Sequence, residues 1–397
     1  MPGDAHLVKL TGLRILAPTV LLAGLLAGCG QRATGSGGAV GGDDAGVSAV
    51  AAAGTEAQPR DRVGAASLAP AAEESGETAS TQRLPWSFHG TKGALLSTPH
   101  YRIYTTSARS WIEEDASAFV EEALRHYRTA IAPLPAPARP LDVYLFDTRE
   151  QWQEQTRQIM KEQAALYLNL GRGGYATRGT AVLYDIGFSD TFSILSHEGW
   201  HQYTQTVFKH PLPTWLEEGL ATFMEGRRHA PGGAVEFDPW SNAQRRAALD
   251  RAARISRRTN DDRLIPLIEL LDTSPQDFLE GDTGDLLTYY AQVWVLAQFL
   301  VYGEDGKYRE GLARALDDAA HGRLVSGIMN APVSATFAER RRWALSSRGP
   351  GVVLAYFNSD LGSFAEEYDA FIRDIVSGEL PVRVDEELDE LETASSE

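Results

Sequence analysis

The chain has 397 residues, of which 43% are hydrophobic, with a formal net charge of −17 and one cysteine. Such a length and apolar content suit one large domain or two smaller ones with tails, and exclude disorder of the whole chain. The charge leaves no basic stripe to neutralise phosphates, which excludes a nucleic-acid partner, and a lone cysteine excludes a disulfide framework and a cysteine zinc site.

Taken in chain order, the first signal is a leader. Lys9 and Arg14 precede an apolar run over residues 15–28, ILAPTVLLAGLLAG. The run is too short to span a bilayer comfortably and fits the apolar region of a signal peptide. Leu26-Ala27-Gly28-Cys29 resembles the bacterial lipobox. That resemblance implies cleavage before Cys29, a lipid on its thiol, and a chain exported and anchored to a membrane of the bacterial cell envelope. An ordinary signal peptide that happens to contain a cysteine is the alternative.

Residues 29–83 form a tether, rich in Gly, Ala, Ser and Thr and without aromatics. Such a composition buries too little apolar surface to offset its ordering entropy. The folded domain is expected over residues 84–380, starting near Leu84 and the first aromatic, Trp86. Residues 101–106 and 141–146 are β-branched and aromatic, which predicts strands. Between them, Ile112, Ala116, Phe119, Ala123, Tyr127 and Ile131 recur at helical spacing. A second helix is expected over 149–166, a turn over 171–174, and a short hairpin from 175–177 and 181–184. Beyond residue 190 the pattern is mostly helical to about Ser377. Residues 381–397 form an acidic tail, with seven acidic residues from Asp385 onward. Strands first and helices later predict an α+β fold.

The chemistry concentrates in His197-Glu198-Gly199-Trp200-His201, an HExxH motif. On a helix, residues four apart share a face, so both imidazoles reach one ion. Glu198 then stands close enough to serve a metal-bound water without ligating the metal. A catalytic zinc site needs a third protein ligand. Thr204 and Val207 stand where HExxHxxGxxH would need Gly and His, so the metzincin pattern fails. The other source is a glutamate on the next helix, within PTWLEEGLATFMEG over 213–226. Thr214 followed by Glu217 has the form of a capping box, which would occupy Glu217 at the helix start. Glu218, about 100° around the helix, is then free to face the metal. Glu225 lies on nearly the same face, as a partner for a ligand histidine or as a solvated helix-end charge. His89, His100, His126, His210, His229 and His321 lack partners at ligand spacing. Of these, His210, between the two motif helices, is the one placed to line a cleft.

HEGWHQ followed by PTWLEEGLATFME resembles the zinc signature of the gluzincins. In the aminopeptidase N relatives the glutamate before glycine in a WLNEG-type segment binds zinc, which carries over to Glu218. The gap of 16 residues from His201 to Glu218 is slightly shorter than in the aminopeptidases. The resemblance is closest to exported bacterial members of the superfamily with a domain of unassigned function, and spans roughly residues 97–376. It implies a thermolysin-like gluzincin domain: an N-terminal mixed sheet with helices, then a mainly helical half carrying the zinc helices. It also implies an oxyanion donor at the head of the later apolar helix, Tyr290, with Tyr289 as fallback. The strand that in aminopeptidases supplies a glutamate for the substrate amine corresponds to residues 173–179. It has no acidic residue, which disfavours an aminopeptidase.

The resulting expectation is a zinc metallopeptidase of the cell envelope acting on a peptide or protein. His197, His201 and Glu218 bind Zn2+, Glu198 is the general base and Tyr290 the oxyanion donor. The rival from another class is an envelope binding or scaffold lipoprotein with a vestigial zinc site.

Overall fold

The computed structural model describes residues 52–53, 81–168, 173–229, 235–259, 263–278 and 283–378. The expected leader, the lipid attachment at Cys29, nearly all of the tether, the turn residues Gly171 and Arg172, and the acidic tail lie outside them.

The described chain is α+β, with a sheet first and a helical half after it. Strands β1 (Ala52–Ala53), β2 (Gln82–Phe88), β3 (Thr91–Ser97), β4 (Tyr101–Thr105), β5 (Leu141–Phe146), β6 (Gly174–Thr177) and β7 (Thr180–Tyr184) form one mixed sheet, ordered β1-β6-β7-β5-β4-β3-β2. The ladders β4–β5 and β5–β7 are parallel, and β6–β7 is the expected antiparallel hairpin. Parallel neighbours need a crossover, which α1 (Ser110–Thr129) supplies between β4 and β5. The register sets Ile103 beside Val143 and Leu145 beside Leu183, so alternate side chains collect on one face. Helix α1 lays Ile112, Ala116, Phe119, Ala123 and Tyr127 into the core, the stripe its spacing predicts. On the other face Trp86 lies among Phe88, Tyr104, Tyr144 and Phe146, its ring centroid 5.5–6.4 Å from theirs.

The sheet is wider than the sequence suggests. Strand β2 begins two residues before Leu84, and β3 has no counterpart among the expected strands. Its TKGALLS has little β-branched or aromatic content, so it is strand because β2 and β4 hydrogen-bond it on both sides. The expected helix over 149–166 ends earlier, as α2 (Arg149–Met160), followed by a single turn and α3 (Ala164–Leu168).

The second half contains α4 (Phe188–Val207), α5 (Thr214–Glu225), α6 (Ala243–Thr259), α7 (Leu267–Asp272), α8 (Thr283–Tyr302), α9 (Arg309–His321), α10 (Leu324–Met329), α11 (Phe337–Leu345) and α12 (Leu361–Ser377). A small hairpin, β8 (Arg227–His229) with β9 (Val235–Phe237), interrupts the expected helical run. Helix α4 lies against α1, β6 and β7, α5 packs between α4 and α8, and α6 packs on α8. From Tyr289 to Val301 every side chain of α8 is buried, which marks it as the central helix of this half. No helix among the described residues is long and apolar enough to cross a membrane.

Candidate metal centre

Helix α4 is buried at Thr191 and Phe192 and throughout from Ile194 to Thr204, and its HExxH face meets α5. Two glycines let neighbouring elements come close to these two helices. A Cβ on Gly199 would stand 2.5 Å from the Tyr127 hydroxyl, which donates to Ser196 O at 2.7 Å. A Cβ on Gly219 would stand 2.7 Å from Val293 O, so the residue after Glu218 lets the backbone of α8 come against α5.

Three donors converge between the helices. His197 Nε2 and His201 Nε2 are 3.1 Å apart, and Glu218 Oε2 lies 3.4 and 3.6 Å from them. Donors about 2.0–2.1 Å from one tetrahedral ion stand about 3.3 Å from one another, so the spacing suits a shared cation. This is the one group of three or more potential ligands found among the described residues. Both Glu218 oxygens are buried with no hydrogen-bond partner, and a cation is what would satisfy them.

Each imidazole is oriented from behind. His197 Nδ1 pairs with Glu225 Oε1 at 2.8 Å, and His201 Nδ1 with Glu217 Oε1 at 2.9 Å. A carboxylate on Nδ1 favours the proton there and leaves the Nε2 lone pair for a metal. Glu225 is therefore a partner of His197, not a solvated helix-end charge. The expected capping role of Glu217 is corrected. The residue before the helix is Pro213, no side chain caps it, and Thr214 lies inside the first turn. Buried Glu217 instead accepts from His201 and from the Thr204 hydroxyl at 2.6 Å. Its side chain points at α4, where a ring nitrogen is a stronger partner than a backbone amide.

The electrostatics follow from burying carboxylates beside imidazoles. Burial works against the charged forms of His197 and His201. The adjoining glutamates outweigh it and raise both above the ordinary range. Burial likewise opposes ionisation of Glu218, but both imidazoles hold its pKa down. Glu225 is lowered to about 2, where Arg245 and His197 overcome burial. Glu198 behaves differently. Both its oxygens are buried without a partner, and burial pushes it up to about 7, with His197 and His201 opposing. A dication nearby would favour its charged form.

Tyr290 reaches the cluster from α8. Its ring lies 6.4 Å from that of His197, its hydroxyl is buried without a partner, and burial beside Glu218 raises its pKa. Tyr289 has an equally unpartnered hydroxyl but packs against Phe278, with ring centroids 5.6 Å apart. His210 turns away from the cluster, its Nδ1 accepting from Val325 N at 3.4 Å. His100 pairs with Glu121, and His126 stacks on Phe237. The strand β6 and its turn are stitched to α4: Gln202 donates to Gly179 O, and Gln205 donates to Ala176 O and accepts from Gly179 N.

Sequence reasoning missed Arg245, Asn242 and Thr204. Arg245 and Asn242 belong to α6 and the residue before it, reached only after the β8–β9 hairpin, and no spacing rule links them to the motif. No protein-family model matches this chain, and no curated protein matches it.

Proposed function

We propose that this protein is a zinc metallopeptidase of the gluzincin type, with a thermolysin-like domain exported to the cell envelope on a lipidated Cys29. The observation that carries the reading is the convergence of His197, His201 and Glu218 beside a buried, unpartnered Glu198. When bound there, zinc supplies Lewis acidity, lowering the pKa of water at the open position and polarising a peptide carbonyl.

The chain does the rest. His197 and His201 present Nε2 because Glu225 and Glu217 occupy their Nδ1 atoms. Glu198, one residue from the first ligand, takes the proton of the attacking water and passes it to the leaving amine. Its freedom from hydrogen bonds keeps both oxygens available for that transfer. The Tyr290 hydroxyl, likewise unengaged, donates to the oxygen on which negative charge develops. The absence of an acidic residue over 173–179 leaves a substrate's free amino terminus without a partner there.

One observation favours the rival reading of a non-catalytic metal module. His197, Glu198, His201 and Glu218 are each at most 1% exposed. Against it, an inert metal site has no use for a buried carboxylate with no partner, since that group costs stability.

The test is elemental analysis of wild type and Glu218→Ala, alongside digestion of a denatured-protein mixture. One zinc per wild-type chain, a sharp fall in the variant and zinc-dependent cleavage are expected. Zinc bound without any cleavage would transfer the reading to the binding module, and no zinc would end both.

A further inference from the structure

Glu225 is gripped from three sides. Oε1 accepts from His197 Nδ1 at 2.8 Å and Arg245 Nη2 at 2.7 Å. Oε2 accepts from Asn242 Nδ2 at 2.8 Å and Arg245 Nε at 3.2 Å. The arginine thus uses its fork on both carboxylate oxygens, in a setting where it is itself 3% exposed. Asn242 in turn holds the start of α6, its Oδ1 accepting from Arg245 N at 3.3 Å. The same guanidinium lies over the Tyr290 ring, with Cζ 5.0 Å from its centroid. One buried cation therefore touches both the carboxylate behind His197 and the tyrosine beside it. The counterpart behind His201 is built otherwise: besides that imidazole, Glu217 accepts from a neutral hydroxyl, Thr204.

We propose that Arg245 is a positioning residue, which locks the His197 imidazole and the Tyr290 ring into one arrangement. Its fork fixes the rotation of Glu225, and Glu225 fixes the direction in which His197 Nε2 points. Its flat face seats the Tyr290 ring, so the hydroxyl stands on the metal side of α8. A lysine keeps the charge but has neither the fork nor the flat face. The part concerning Tyr290 rests on the metallopeptidase reading, whereas the part concerning His197 needs only a bound metal.

The experiment compares full-length wild type, Arg245→Lys, Arg245→Met, Glu225→Gln and the double variant Glu225→Gln/Arg245→Met. Folding is checked by circular dichroism. Zinc affinity is read by chelator competition, ligand geometry by the visible spectrum after Co2+ replacement, and turnover as kcat and KM separately. Arg245→Lys is expected to stay folded, to bind zinc roughly 10- to 100-fold more weakly, to show an altered cobalt spectrum, and to lose kcat more than KM. Should Arg245→Met fail to fold because it strands a buried carboxylate, the double variant removes that charge with its partner. It is expected to bind zinc no more weakly than Glu225→Gln alone, since Arg245 acts on the metal through Glu225. Wild-type affinity and spectrum in Arg245→Lys, or a double variant weaker than Glu225→Gln by the full single effect, would overturn the proposal. Wild type that binds zinc and cleaves nothing defeats the peptidase reading while the affinity and spectrum still decide on His197. Wild type that binds no metal defeats both.

Discussion

Glu198 and Gly199 stand side by side in the motif and serve different ends. Replacing Glu198 by Gln keeps the shape and removes the proposed base. Zinc content should stay at the wild-type level while hydrolysis falls by about 10²–10⁴-fold, in line with the contribution of general base catalysis. Full activity in the zinc-loaded Glu198→Gln variant would dismiss the assignment. Gly199 is a packing residue. Alanine there would gain about 1 kcal/mol of helix propensity but would strike the buried Tyr127 hydroxyl. We expect Gly199→Ala to lose about 1–3 kcal/mol on balance, and Gly199→Ala in a Tyr127→Phe background to recover much of it. Urea midpoints of the four proteins decide this, and equal losses in both backgrounds would show that the hydroxyl is not the obstacle. At this scale the sequence was informative where geometry is local. Four residues of separation put His197 and His201 on one face, and Glu218 is the glutamate that faces them. The capping argument that separated Glu217 from Glu218 picked out the glutamate that faces the two histidines, but for the wrong reason, because Glu217 is engaged by His201 across the helix pair.

Among the elements, α5 and α8 have the contact that most constrains the site. Gly219 meets the carbonyl of Val293, and backbone cannot move aside as a side-chain tip can. Gly219→Ala should therefore displace α8 from α5, carrying Tyr290 away from His197. The expected result is a protein that still binds zinc, with Tm lowered by several degrees and kcat reduced more than zinc affinity. If kcat and Tm both held at wild-type values, α8 would not be seated through this contact. Helix α8 itself was plain from its apolar run, β5 from its β-branched and aromatic content, and the β6–β7 hairpin was expected. Strand β3 and the β8–β9 hairpin were not. Thr91–Ser97 and Arg227–His229 have weak strand composition, and their conformation comes from pairing with the strands beside them, β2 and β4 for the one and β9 for the other, rather than from their own residue types.

For the molecule as a whole, acid sensitivity has an identifiable source outside the metal centre. His126 stacks on Phe237 at 4.8 Å, its Nε2 is buried without a partner, and burial, with Arg125 adding to it, lowers its pKa to about 4. The unfolded chain has an ordinary histidine near 6.5 and so binds the proton first. Stability is then full above about pH 6.5 and declines as the pH falls toward 4, by about 1–2 kcal/mol once the partly exposed ring is allowed for. His126→Phe should flatten that decline, measured as the difference in unfolding midpoint from wild type at pH 4.5 and pH 7.5. An unchanged difference at the two values would remove His126 as the source.

The path of the chain through the centre has a consequence for how the protein changes over time. His197, His201, Glu217, Glu218, Glu225, Asn242 and Arg245 all belong to one continuous stretch running from α4 to α6, whereas Tyr290 arrives on α8 after a separate excursion through α7. The residues that would hold the ion under the proposed function form one cassette, and the proposed oxyanion donor is supplied by another. Under the proposed function, lengthening or shortening the connection between α6 and α8 would alter turnover while leaving metal retention intact. A lineage could in that way lose its peptidase activity and remain a metalloprotein.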